Sequence, residues 1–279
     1  MKHVPFILFT LTAVLCSCGT PANEMETMPE AAEGNWQPMF NGRDLTGWTP
    51  KFAGRPVGEN YLNTFVWEDD MLRVKYDEYE NFDANYGHLY FDQPYGRYKM
   101  RFEYRFTGEQ MPGGIHWNVR NSGVMYHSQS AESNEPGQGF PVSLELQLLG
   151  GLSDGKTRTT GNVCTPGTTV VMGDTLNNAH CISSSSPTFD GDRWVRAEAV
   201  VLGGEAMHFL IEGDTVLSFR QPQLGGWDAS GKQFDDWGFA RDKEKWMARN
   251  HEVLTTGYIA LQAESHPIDF RKVELMVLE

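Results

Sequence analysis

Positive charge is scarce in this sequence: 23 lysines and arginines stand against 37 aspartates and glutamates, a formal net charge of -14 at pH 7. A phosphate backbone is held by the opposite field, so the composition argues against nucleic acid as a partner. Several chemical signatures are also missing. There is no Gly-rich phosphate-binding loop, no Ser-His-Asp pattern and no HExxH, and the many glycines sit in turns. Helical periodicity is nearly absent. The exception is a short stretch from about Phe239, where Phe239, Lys243 and Met247 share one side.

Cysteine is scarce too, with four in the chain. Cys16 and Cys18 lie in the N-terminal run MKHVPFILFTLTAVLCSC, which has one lysine, an apolar stretch far too short to span a bilayer as a permanent helix, and then small residues. That pattern predicts an export signal over residues 1–17. The run Leu15-Cys16-Ser17-Cys18 resembles the bacterial lipobox, which makes Cys18 the lipidated mature N-terminus; an ordinary secretory signal cut near Ser17 or Ala22 is the alternative. Residues 18–34 are polar, acidic and aperiodic, as in a flexible tether. These features predict a location in the bacterial cell envelope, lipid-anchored at the membrane, periplasmic or on the outer-membrane surface.

Cys164 and Cys181 remain. Export to an oxidising compartment favours a disulfide between them, worth about 3 kcal/mol in the chain-entropy model. Zinc is the rival because His180 adjoins Cys181, but no fourth ligand stands at a familiar spacing, so no metal is expected.

Residues 35–279 lack a linker or a break in composition and are read as one domain. Thr64 to Glu68 and Met71 to Lys75 flank Asp69-Asp70 as a hairpin, and Gly87 to Phe91 reads as a strand. From Tyr98 to Phe106 the chain alternates, with Met100, Phe102, Tyr104 and Phe106 inward. Trp194 to Leu202, Ala206 to Glu212 and Thr215 to Arg220 form a meander, and two strands separated near His266-Pro267 close the chain. Gly151 to Arg193 reads as a long polar excursion, either functional or pinned. Trp227, Trp237 and Trp246 suggest a satellite core under a loop, with a sugar platform as the alternative. About a dozen strands without βα alternation predict an all-β, two-sheet antiparallel jelly-roll sandwich.

The stretch from Gly113 to Gly150 organises the candidate site. In strand geometry Val142, Leu144, Leu146 and Leu148 fall on one face, and Ser143, Glu145, Gln147 and Leu149 on the other. His116, Asn118 and Arg120 are expected to share a strand face, and Met125 and His127 to alternate with Val124 and Tyr126 after an Asn121-Ser122-Gly123 turn. A sheet face dense in carboxylate, amide and imidazole suits a sugar.

Phe40-Asn41-Gly42-Arg43-Asp44-Leu45-Thr46-Gly47-Trp48, Asn121-Ser122-Gly123, Glu145-Leu146-Gln147, Gly257 to Gln262 and Pro267-Ile268-Asp269-Phe270-Arg271 occur in an order that resembles the 3-keto-disaccharide hydrolase family from about Trp36 to the C-terminus. The resemblance implies a concanavalin A-like lectin/glucanase jelly roll. The activity it implies is that of a 3-keto-glycoside 1,2-lyase with 3-keto-2-hydroxy-glucal hydratase. Members often carry Arg four residues after the NSG glycine, where this chain has His127.

Hydrolysis through an oxocarbenium-like transition state needs two carboxyl groups, and jelly-roll glucanases carry them on one strand as Glu-x-Asp-x-Glu or a close variant. The corresponding face here reads Glu145, Gln147, Leu149, so the second carboxylate is missing from that strand. A 3-keto sugar changes the requirement, because the ketone acidifies the hydrogen on C2. One base, one acid and donors for the enolate oxygen then suffice, and no redox cofactor is needed because elimination and hydration change no net oxidation state. A sugar 3-dehydrogenase elsewhere would have to make the ketone.

Glu145 is the expected base, or the group orienting a histidine base, with His116 or His127 as its partner. Asn121, Gln147 and Gln262 are expected on hydroxyls, Arg271 on an oxygen or carboxylate, and Arg120 beside them. Each has a structural alternative. Glu145 could be the buried ion-pair partner of Arg120 or Arg271, His116 a hydrogen-bonded structural histidine, and Gln262 and Arg271 ties between the terminal strands. A conventional glucanase-type glycoside hydrolase and a non-catalytic carbohydrate-binding lipoprotein are the competing functions.

Overall fold

In the computed structural model, Met1, residues 34–227, Ser230, Gly238 and residues 240–279 are described. The export signal, Cys16, Cys18, the tether, Trp237 and Phe239 lie outside the described residues.

Period-two alternation builds a two-sheet antiparallel sandwich, because each alternating strand has one apolar face to bury. Among the described residues, seven strands form the sheet that carries the site, in the order Cys181–Ile182, Asn162–Cys164, Leu144–Leu149, Asn121–Ser128, Tyr258–Ala263, Gly87–Phe91 and Trp48–Phe52. The opposing sheet has ten strands among the described residues, with Arg97–Phe106 and Ile268–Val277 paired near its middle. Leu144, Leu146 and Leu148 from the first sheet and Phe102, Tyr104 and Phe270 from the second are buried in one shared core. The apolar faces therefore meet, and the polar face of the seven-stranded sheet is left for a ligand.

The expected hairpin is present as Phe65–Glu68 and Met71–Val74, and the meander as Val195–Leu202, Ala206–Ile211 and Asp214–Leu224. Tyr258–Ala263 and Ile268–Val277 close the chain on opposite sheets. The short helix spans Lys243–Ala248. Trp246 and Trp227 pack with Val142 and Leu224 as a satellite core.

Three expectations are corrected. His116 to Arg120 is not a strand: His116–Asn118 is a 3-10 turn, and Asn121, expected in a turn, begins a continuous strand to Ser128. That strand does not keep strict alternation to its end. Between the Met125–Ala260 and Ser128–Tyr258 pairs two residues oppose one, and His127 takes a positive φ of 47°, so the strand bulges there. Gly151 to Arg193 is not a bare excursion either, since it holds the Asn162–Cys164, Thr168–Met172, Thr175–Asn177 and Cys181–Ile182 strands. Cys164 and Cys181 lie opposite each other across two of these strands and are joined by a disulfide.

Candidate active site

The register of the seven-stranded sheet lines up its polar side chains. Gln147 pairs with Gly123 on one side and with Asn162 on the other, and Asn121 pairs with Leu149. Gln262, one residue beyond the Leu261–Val124 pair, falls in the row of Gly123 and faces His88 on its other side. Glycine at 123 is required by the site: a Cβ there would come within 2.6 Å of Glu145 Cγ and closer still to its carboxylate. The Glu145 side chain thus lies across the Asn121–Ser128 strand, over the gap that Gly123 leaves.

A cavity of about 700 Å³ opens on this face. Glu145, Gln147, Asn121, His116, Arg158, His180 and Glu264 supply its polar lining. Trp117, Phe140, Leu149, Leu152 and Pro166 supply apolar walls, together with the disulfide. Glu264 is the second carboxylate that the Glu145 strand lacks. It continues the alternation of Ala260 and Gln262 one step past the end of its own strand.

Glu145 and Glu264 are 5% and 4% exposed. Among the described residues neither forms a salt bridge: Arg120 pairs with Asp192 at 2.9 Å, and Arg271 pairs with Glu103 at 2.6 Å. The ion-pair alternative for Glu145 is thereby removed. Burial pushes the Glu145 carboxyl up to about 8. Burial also holds Glu264 well above the ordinary carboxyl range, with the Glu145 charge adding to the rise and Arg158 opposing it. The Glu145 charge opposes ionisation of Glu264, so an ionised and a protonated carboxyl can face the same cavity.

Arg158 is fixed by backbone carbonyls: Nη1 donates to Gly150 O at 2.6 Å and to Arg120 O at 3.3 Å, and Nη2 to Val119 O at 2.7 Å. Its positive charge is therefore held in place beside Glu264. Gln147 accepts from Asn162 Nδ2 at 3.0 Å. Asn121 donates to Trp117 O at 3.2 Å, and its Oδ1 has no partner among the described residues. Gln262 is fully buried, is not part of the cavity lining, and both of its amide atoms lack partners among the described residues.

Of the expected residues, Glu145, His116, Asn121 and Gln147 come together in the cavity, and four do not: Gln262, His127, Arg271 and Arg120. His127 is carried by the bulge to the far end of its strand, where its Nε2 lies 3.0 Å from Gly203 O and burial lowers it to about 4, leaving it neutral. Arg271 belongs to the other sheet, where it binds Glu103 and stacks 3.9 Å from the Trp194 ring. Arg120 latches the start of its strand to the Gly191-Asp192 loop. Glu264 and Arg158 went unread in the sequence. For Glu264 the i, i+2 spacing from Gln262 was an available signal; for Arg158, within a long polar segment, none was.

An all-β sandwich with two buried carboxyls in a cavity on a polar sheet face fits the carbohydrate-active, glycosyl hydrolase-like class of enzyme, with a small-molecule sugar as ligand, to which the family match assigns the chain. The chain belongs to the 3-keto-alpha-glucoside-1,2-lyase-like domain family, whose model matches residues 35–276. No curated protein matches it. Among solved structures, one from Parabacteroides distasonis, provisionally described as a glycosyl hydrolase, is 14% identical with a TM-score of 0.51, over 88% of this chain and 100% of that one. A second from the same organism, with the same provisional description, is 19% identical with a TM-score of 0.49, over 88% and 95%. The first likeness bears on the fold alone.

Proposed function

We propose that this enzyme cleaves 3-keto-glycosides by removing the C2 proton, eliminating the C1 substituent and adding water back to the resulting enone. The observation that carries this reading is the buried Glu145–Glu264 pair, in a chain of this family. The ionised member takes the C2 proton while the protonated member donates to the departing glycosidic oxygen. Water then adds its hydroxyl to C1, and a proton returns to C2, so the sum is hydrolysis. Glu145 is assigned as base and Glu264 as acid. The positive charge of Arg158 offsets that of the enolate, Gln147 and Asn121 meet hydroxyls, and His116 stands at the rim.

Incubation with a glucoside and its 3-keto form tests the reading. The 3-keto form is expected to be cleaved and the glucoside left intact, because without the ketone the C2 hydrogen is not acidic. Equal cleavage of both overturns it. The same carboxyl pair also favours a second reading, conventional glycoside hydrolysis, in which two carboxyls act at C1. Cleavage of the unoxidised glucoside is the result that second reading requires.

The 3-keto substrate implies a sugar 3-dehydrogenase working upstream. We also propose that Cys18 carries a lipid that anchors the enzyme in the bacterial cell envelope, periplasmic or at the outer-membrane surface. Palmitate labelling is expected to disappear in Cys18→Ala, and labelling that persists unchanged sinks that proposal.

A further inference from the structure

The cavity changes character along its length. On the Leu144–Leu149 strand the side chains facing it run from Glu145 through Gln147 to Leu149, from acid to amide to hydrocarbon. At the Leu149 end two more apolar side chains join the lining, and both are open to solvent: Trp117 is 55% exposed and Leu152 is 44% exposed. An exposed indole beside an exposed leucine is a surface whose burial is favourable when a ligand covers it.

Trp117 is not a loose side chain on a loose loop. The turn that carries it is tied on three sides, by Gln110 Nε2 to Ile115 O at 2.8 Å, Asn118 Nδ2 to Tyr86 Oη at 3.0 Å, and Asn121 Nδ2 to Trp117 O at 3.2 Å. The His116 ring meets the indole edge-on at 4.8 Å. The segment leading to Leu152 is likewise held, with Gly150 N donating to Arg120 O at 2.9 Å and Gly151 N to Phe189 O at 2.7 Å. A platform fixed before its ligand arrives loses little freedom on binding.

The amide and guanidinium donors at this end are already engaged, although Asn121 Oδ1 is still open to accept. The Asn121 amide donates to the Trp117 carbonyl, and both Arg158 terminal nitrogens donate to backbone carbonyls. A leaving group with several hydroxyls would find few free donors there, and a hydroxyl covered without a partner weakens binding. A flat hydrocarbon ring loses nothing of that kind and gains the indole face.

Building on the function proposed above, we propose that the Trp117–Leu149–Leu152 end is the aglycone subsite and that it takes a planar aromatic aglycone. The sugar sits over Glu145 and Gln147 with its C1 substituent directed along the strand toward Leu149. The opening at Trp117 and Leu152 lets the far edge of the aromatic group project into solvent.

Calorimetric titration of the intact protein with phenyl glucoside and with methyl glucoside tests the subsite, because these unoxidised ligands are not consumed in the proposed reaction. Phenyl glucoside is expected to bind about tenfold more tightly or better. In Trp117→Ala that advantage should vanish while the affinity for methyl glucoside holds, and Trp117→Phe should keep most of it. Equal affinities in the wild type, no binding of either ligand, or a phenyl preference that survives in Trp117→Ala each overturn the inference. If the phenyl preference holds but 3-keto-glucosides are not cleaved, the reaction reading fails and the subsite stands. If they are cleaved and no preference appears, the subsite fails alone.

Discussion

Two nearly buried carboxyl groups in one cavity cannot both ionise easily near neutral pH, and the cost falls on the fold as well as on the chemistry. Glu145 has its carboxyl raised from 4.5 to about 8, so between those values the folded protein binds a proton that the unfolded chain has released. The stability this contributes is complete below about pH 4.5 and is lost as pH rises through 8. Three buried histidines act at the other end. Burial lowers His88 to about 3 and His127 and His266 to about 4, so the unfolded chain takes up protons first as pH falls below 6.5. Their contribution is present above 6.5 and is lost as pH falls toward 4. Glu145→Gln separates the two roles of this residue: activity should fall by a factor of roughly 100 to 10,000, the range for loss of a general acid or base. The same variant should melt higher than wild type at pH 8 to 9, with the difference shrinking toward pH 4.5. Kinetics together with melting curves across pH check both outcomes, and near-normal activity or an unchanged alkaline melting temperature counts against the assignment.

At the scale of the element, the Asn121–Ser128 strand shows how far a sequence can be read and where reading stops. Alternation alone placed Leu144, Leu146 and Leu148 in the core and Glu145 and Gln147 on the open face, as found. The same rule misplaced His127, because an extra residue in a strand reverses every later side chain and leaves no mark in a period-two pattern. It also missed Glu264, since the strand ends at Ala263 and the acid stands one residue outside it. Arg158 reaches the cavity through backbone carbonyls brought together only by the fold. Gly123, read as a turn residue, is in fact the space into which Glu145 leans, and its φ is not positive, so alanine strains no dihedral there. Gly123→Ala should therefore keep the fold and push the carboxylate aside, lowering kcat by about 100-fold, the effect of misplacing a catalytic group by about 1 Å. A folded Gly123→Ala protein with unchanged kcat would show that Glu145 does not need that position.

At the scale of the whole molecule, the sandwich brings two carboxyls, Glu145 and Glu264, and the Arg158 guanidinium into one cavity, and the proposed chemistry needs a base, an acid and a cation on one sugar. Proton removal at C2 and protonation of the C1 oxygen act on neighbouring atoms, which suits two carboxyls close enough for the charge of one to raise the other. The returning proton comes from the same pair after exchange with solvent. Reaction of a 3-keto-glucoside in heavy water should therefore place one deuterium at C2 of the 3-keto-glucose product, read by mass spectrometry and proton NMR after correction for spontaneous exchange. Direct displacement at C1 by either carboxyl, or by water, leaves the C2 hydrogen untouched. Intact substrate recovered early adds a second readout, because deuterium at its C2 means that proton removal is reversible and precedes loss of the C1 substituent. Product free of C2 deuterium, formed at a rate that still depends on Glu145 and Glu264, would turn the same two residues into the pair of a conventional glycoside hydrolase.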